Sequence, residues 1–140
     1  MFLLDTNVIS ELRRPDRTHR NDVARANAIP AANFFMSAIS ILEIELGARL
    51  IERKDAAQAA VLRTWIDNQI LVRFEDRILA VDTAVARRCA QLHVTNPRAE
   101  RDALIAATAL VHSLTVVTRN VADFEPMGVM LINPWEQPTG

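Results

Sequence analysis

Short apolar runs alternate along this chain with longer stretches of helical spacing. Residues 2–4 (FLL) are apolar at every position and too few for a helix, the pattern of a strand buried on both faces. One or two helical turns follow over residues 8–13 and stop ahead of Pro15, because the residue before a proline is pushed out of the helical region. Residues 15–33 are polar and arginine-rich and read as a surface helix ending near Pro30, after which residues 33–37, containing FFM, form a second short strand. Helices are predicted over 40–54 and 55–70, the second carrying Ala57, Ala60, Val61, Leu62, Trp65 and Ile66 at helical spacing.

The second half repeats the alternation. ILAV at 78–81 is a strand candidate, 83–93 a helix, and Asn96 with Pro97 a break. Residues 102–113 are apolar nearly all round, which marks a buried helix. TVVT at 115–118 is a β-branched strand of the kind found inside parallel sheets, and 129–132 is a last strand before a tail with Pro134 and Pro138. This order predicts an α/β fold with a short parallel sheet of four to five strands flanked by helices, in one domain over residues 1–140.

Composition narrows the chemistry. Half the residues are hydrophobic, so a packed core rather than disorder is expected. A net charge of −1 gives no overall basic footprint, although a local patch would still serve an enzyme acting on nucleic acid. Of the sixteen basic residues only Lys54 is a lysine. The arginines suit bidentate phosphate contacts, but the Arg-rich run between Arg13 and Arg25 fits an ordinary solvated helix face better. A lone Cys89 forms no internal disulfide, and no Cys/His cluster offers a zinc site. No apolar run approaches the roughly twenty residues of a membrane span, and no secretory signal opens the chain, so a cytoplasmic location without membrane contact is expected. Three glycines rule against a phosphate-cradling loop.

Four acidic positions stand out because their neighbours are apolar, and burying an unpaired carboxylate is costly. Asp5 ends the first strand, as a helix cap or as a ligand at the strand end where open α/β sheets bind. Glu45 has Arg49 four residues on, an ordinary exposed pair. Glu43 instead has Ile39, Ser40, Leu46 and Gly47 at helical spacing, as a pocket residue or one stretching to water. Asp102 opens the buried helix, where a carboxylate also complements the helix dipole. Thr118, Asn120 and Asp123 follow the TVVT strand, where loop chemistry is the alternative. In a parallel sheet the strand C-termini share one edge, so these groups can converge. Converged carboxylates are tolerable only with raised pKa values or a bound hard cation such as Mg²⁺.

The stretches LLDTNVISEL, SAISILEIELGA, DALIAATALVHSLTVVTRNVADF and INPW, in that order, resemble the PIN-domain family, in particular its VapC and FitB-type toxins. The resemblance spans almost the whole chain. It implies a three-layer PIN-like fold and a Mg²⁺- or Mn²⁺-dependent endoribonuclease cutting transfer, ribosomal or messenger RNA. It further implies a homodimer, held inactive by a small antitoxin that often also binds operator DNA. The metal-binding and catalytic acids carried over are Asp5, Glu43 (directly or through water) and Asp102, with Asp123 as the fourth, a place for which Asn120 is the alternative. Thr6, Asn7, Thr118 and Asn120 are the supporting polar groups and Arg119 a phosphate contact. Two rivals remain. A phosphatase or phosphoacceptor with Asp5 as nucleophile expects a second Asp where Asn7 stands, or a pocket lysine, whereas Lys54 sits at a polar helix end. A catalytically silent partner that only binds antitoxin would keep the same acids without turnover.

Overall fold

Phe2–Leu4 forms β1, Phe34–Ser37 β2, Ile78–Leu79 β3, Thr115–Val117 β4 and Leu131–Ile132 β5. All neighbours pair in parallel, in the order β3-β2-β1-β4-β5, in a computed structural model that describes residues 1–13, 31–95 and 99–134. The first strand in sequence is thus the central one. The described helices are α1 (Thr6–Leu12), α2 (Ala38–Glu52), α3 (Ala56–Trp65), α4 (Thr83–Thr95), α5 (Glu100–His112) and the single turn α6 (Val121–Phe124). Beyond α3 the chain runs through a π-helical turn, Ile66–Ile70, into a last turn at Leu71–Arg73.

Side-chain alternation along the strands builds the layers. Leu3 and Val116 point into a core formed with Val85, Cys89 and Leu92 of α4 and the alanine-rich face of α5. Their neighbours Leu4 and Val117, with Met36, point the other way, into Val8 and Ile9 of α1, Ile44 and Ala48 of α2, and Leu62 of α3. Successive strand residues face opposite sides, so both sheet faces are covered and the strands read as unbroken apolar runs. The expected three-layer α/β arrangement is what forms.

The differences from the sequence reading lie at element ends. α1 starts at Thr6, because Asp5 is its cap. α2 starts at Ala38, directly from β2, with Ser37 ending the strand and capping the helix through Ile39 N at 3.0 Å. The strand expected over 78–81 stops at Leu79. Ala80 and Val81 are exposed, and Asp82 turns to accept Val85 N at 3.0 Å at the start of α4. The strand expected over 129–132 is confined to Leu131–Ile132. α5 begins two residues before Asp102 and ends at Ser113, which closes it in the left-handed region at φ 57. Glu45 pairs with Arg63 of the neighbouring α3, 2.7 Å from Nη1 to each carboxylate oxygen, rather than with Arg49. The surface helix expected over 15–33, the break at Asn96 and Pro97, and Trp135 with the tail lie outside the described residues, apart from a 3₁₀ turn at Ala31–Asn33.

Candidate active site

Asp5 leaves the sheet where β1 meets α1. Its backbone N donates to Val117 O of β4 at 2.9 Å, and its carbonyl accepts Val8 N at 3.0 Å, so strand and helix pin it from both sides. The side chain is 6% exposed. Its Oδ1 accepts Thr6 N at 2.8 Å, and its Oδ2 accepts Thr118 Oγ1 at 2.8 Å and Asn7 Nδ2 at 3.3 Å. The helix cap, one of the two sequence readings of Asp5, is formed, and the same carboxylate is buried at the strand end.

Thr6, Asn7, Thr118 and Asn120 form a chain of hydrogen bonds around Asp5 and Glu43. Thr118, fully buried, accepts Asn120 N at 3.0 Å while donating to Asp5, which ties the loop after β4 to Asp5. Asn7 Oδ1 accepts Arg119 N at 3.4 Å. Thr6 Oγ1 donates to Glu43 Oε1 at 2.7 Å and lies 3.0 Å from the hydroxyl of Ser40, itself fully buried one turn before Glu43. Ser40 was legible only as a helical neighbour of Glu43. Its role comes from the close packing of α1 on α2.

Electrostatics join the four acids. Burial, first, and then the charges of Glu43 and Asp123 push the Asp5 carboxyl up, against the hydrogen bonds from Thr118 and Thr6 that pull it down. Asp102, in the first turn of α5, is raised from 3.8 to about 6, by burial first and then by Asp5, Asp123 and Glu43. The dipole at a helix N-terminus works the other way, so crowding and desolvation outweigh it. Of the two choices for the fourth place, Asp123 of α6 contributes charge felt by both Asp5 and Asp102. Asn120 contributes a backbone N–H to Thr118.

Two arginines stand on the rim. Arg119 Nη1 is 3.7 Å from Glu11 Oε1 of α1, with its side chain about half exposed. Arg101, absent from the sequence reading, stands with Nη1 3.8 Å from Glu43 Oε2. Its only signal in the sequence was its position one residue before Asp102.

The acids offer carboxylate oxygens, and burial first and then mutual repulsion raise Asp5 and Asp102, so the donor chemistry fits a hard divalent cation. Among the described residues no three His, Cys, Asp or Glu side chains are placed to hold an ion as they stand.

A parallel sheet with both faces helix-covered, and acids at the C-terminal end of its central strand that feel one another's charge, define the class as an α/β protein with an acidic strand-end edge. The PIN domain matches residues 2–125, and the chain belongs to the PIN domain family. It is similar to Toxin FitB of Neisseria gonorrhoeae, 39% identical over 140 residues with 96% of this chain and 99% of the relative covered. VapC ribonuclease Y4jK of Sinorhizobium fredii is 32% identical over 143 residues, with 97% and 99% covered. Among solved structures, FitAcB from N. gonorrhoeae superposes with a TM-score of 0.87 at 38% identity, covering 98% of this chain and 100% of that one. FitAB bound to a DNA fragment superposes at 0.88 and 36%, covering 99% of each.

Proposed function

We propose that this protein is a divalent-metal-dependent endoribonuclease that acts as the toxin of a toxin–antitoxin pair. The observation that carries the reading is the buried Asp5 at the end of the central strand, in the shared field of Glu43, Asp102 and Asp123. Relatives over nearly the full chain carry the names toxin and ribonuclease, which supports the same reading.

Asp5, Asp102 and, at the outer edge, Asp123 are the groups that would hold Mg²⁺ or Mn²⁺, with Glu43 beside them directly or through water. The cation, when bound, supplies a more acidic water and neutralises charge developing on phosphate. Thr118, Thr6 and Asn7 fix the Asp5 carboxylate. Glu43, held by Thr6 through Oε1, keeps Oε2 to orient the attacking water and accept its proton. Water adds to phosphorus, the bond to the 3′-oxygen breaks, and that oxygen takes up a proton, leaving 3′-hydroxyl and 5′-phosphate ends. Arg119 at the rim would steady a phosphate.

Solved relatives are complexes of FitAB and of VapBC, some with DNA. The partner proposed here is therefore a small antitoxin that shuts the site, in a complex that binds operator DNA. The exposed Leu42, Leu46 and Leu50, every fourth residue of α2, support a protein interface, and a homodimer is the proposed resting assembly. No helix among the described residues is long and apolar enough to cross a membrane, in keeping with the proposed cytoplasmic location. An aspartyl nucleophile fits less well, because both oxygens of Asp5 are already engaged by hydrogen bonds.

The test is cleavage of an end-labelled pool of transfer and ribosomal RNA in Mn²⁺, with an EDTA lane and the Asp5→Asn protein alongside. Discrete cuts lost in both controls are expected. Folded protein that binds Mn²⁺ yet leaves every RNA whole would support the silent-partner reading instead.

A further inference from the structure

Four acids account for how this site attracts a cation, but an RNA strand must enter against the same charges. Arg101 lies at that entrance. It occupies the first turn of α5, its side chain is 47% exposed, and its Nη1 stands 3.8 Å from Glu43 Oε2. Guanidinium–carboxylate hydrogen bonds close to about 2.7–2.9 Å. Arg63 reaches that distance to both oxygens of Glu45, whereas Arg101 rests beside Glu43 without closing. Glu43 gives its other oxygen to Thr6.

Topology sets Arg101 opposite Arg119. Glu43 is on the helix that follows β2, Arg119 follows β4, and β1, which delivers Asp5, runs between those two strands. Arg101 thus lies beside the acid that follows β2, and Arg119 in the loop that follows β4, on either side of the strand that delivers Asp5. A guanidinium offers a planar fork that matches phosphate oxygens, and a phosphate satisfies it better than a carboxylate held 3.8 Å away. We propose that Arg101 binds a backbone phosphate of the RNA strand on the Glu43 flank of the site, leaving Glu43 as the strand enters. Because Arg101 and Asp102 share one helical turn, the element that presents the acid also presents the substrate-binding cation. This assignment rests on the ribonuclease reading.

Binding of a fluorescent transfer-RNA pool, followed by anisotropy in Mg²⁺ in an Asp5→Asn background so that the strands stay whole, tests it. Arg101→Gln is expected to weaken binding about 5- to 10-fold and to lower the slope of log affinity against log salt by about one. Arg101→Lys should keep the slope and lose part of the affinity. Arg53→Gln, about 15 Å from Glu43 along the α2 axis, should change neither, and unchanged melting of Arg101→Gln separates a lost contact from a lost fold. Equal affinity and slope for Arg101→Gln, in a protein whose Asp5 form cuts RNA, overturns the assignment and leaves the ribonuclease reading standing. A slope that falls while the Asp5 form cuts nothing overturns the ribonuclease reading and supports the contact. No RNA binding by any form overturns both.

Discussion

Asp5 shows how one residue serves backbone and chemistry together. It continues the β1 ladder through its N–H, starts α1 through its side chain, and is buried within reach of the charges of Glu43 and Asp123. Thr118 is the residue on which that arrangement leans. Thr118→Val removes a buried donor to Asp5 and the acceptor of Asn120 N, and should lower stability by about 1–3 kcal/mol in urea denaturation. Asp102→Asn should act in the opposite direction in metal-free protein. The folded-state value of Asp102 lies above its ordinary one, so the folded state favours the protonated form. Its penalty is absent below about pH 4, grows as pH rises toward 6 and is complete above that. Asp102→Asn should therefore stabilise the EDTA-treated protein by about 1–2 kcal/mol at pH 7.5, allowing for solvent screening. The gain should shrink at pH 5. An unaltered midpoint at pH 7.5 would mean that burial and the neighbouring carboxylates do not penalise the Asp102 charge.

At the scale of elements, the junctions decide where the acids stand. β2 passes into α2 without a loop, and the buried Ser37 ends one and caps the other, which sets the helical phase that turns Ser40 and Glu43 toward Thr6. Ser37→Ala should cost about 1 kcal/mol. α5 ends at Ser113 in a left-handed conformation that a glycine adopts without a Cβ penalty. Ser113→Gly should raise stability by roughly 0.5–1 kcal/mol and leave cleavage unchanged, since it lies at the opposite end of α5 from Asp102. Differential scanning calorimetry separates these two effects by sign.

For the whole molecule, the sheet order brings together groups from the two ends of the chain. Asp5 and Thr118 are 113 residues apart and share a hydrogen bond because β1 and β4 are neighbours. A cation that binds this folded arrangement and not the open chain must stabilise it. Mn²⁺ at a hundred times its dissociation constant should add about 2.7 kcal/mol, reversed by EDTA. The shift should be much reduced in Asp5→Asn, and a thermal melt with and without metal reads it directly.

The sequence by itself determined the layers and the acidic positions. Runs such as FLL and TVVT are apolar at every position because both sheet faces are covered, and the alanine-rich stretch after Asp102 is apolar all round because α5 is buried. Asp5, Glu43 and Asp102 were visible as charges without local partners, and the linked motifs gave them a family. The packing of α1 on α2 was not legible, and with it the Thr6 link to Ser40 and Glu43, the choice of Arg63 by Glu45, and the positions of Arg101 and Arg119 at the rim. Local pattern records which face of an element is buried, through the spacing of its apolar residues. It does not record the rotation and register with which two faces meet, and hydrogen bonds of about 3 Å depend on those. Tertiary structure alone brought Glu43, Asp102 and Asp123, scattered over the chain, within electrostatic reach of Asp5.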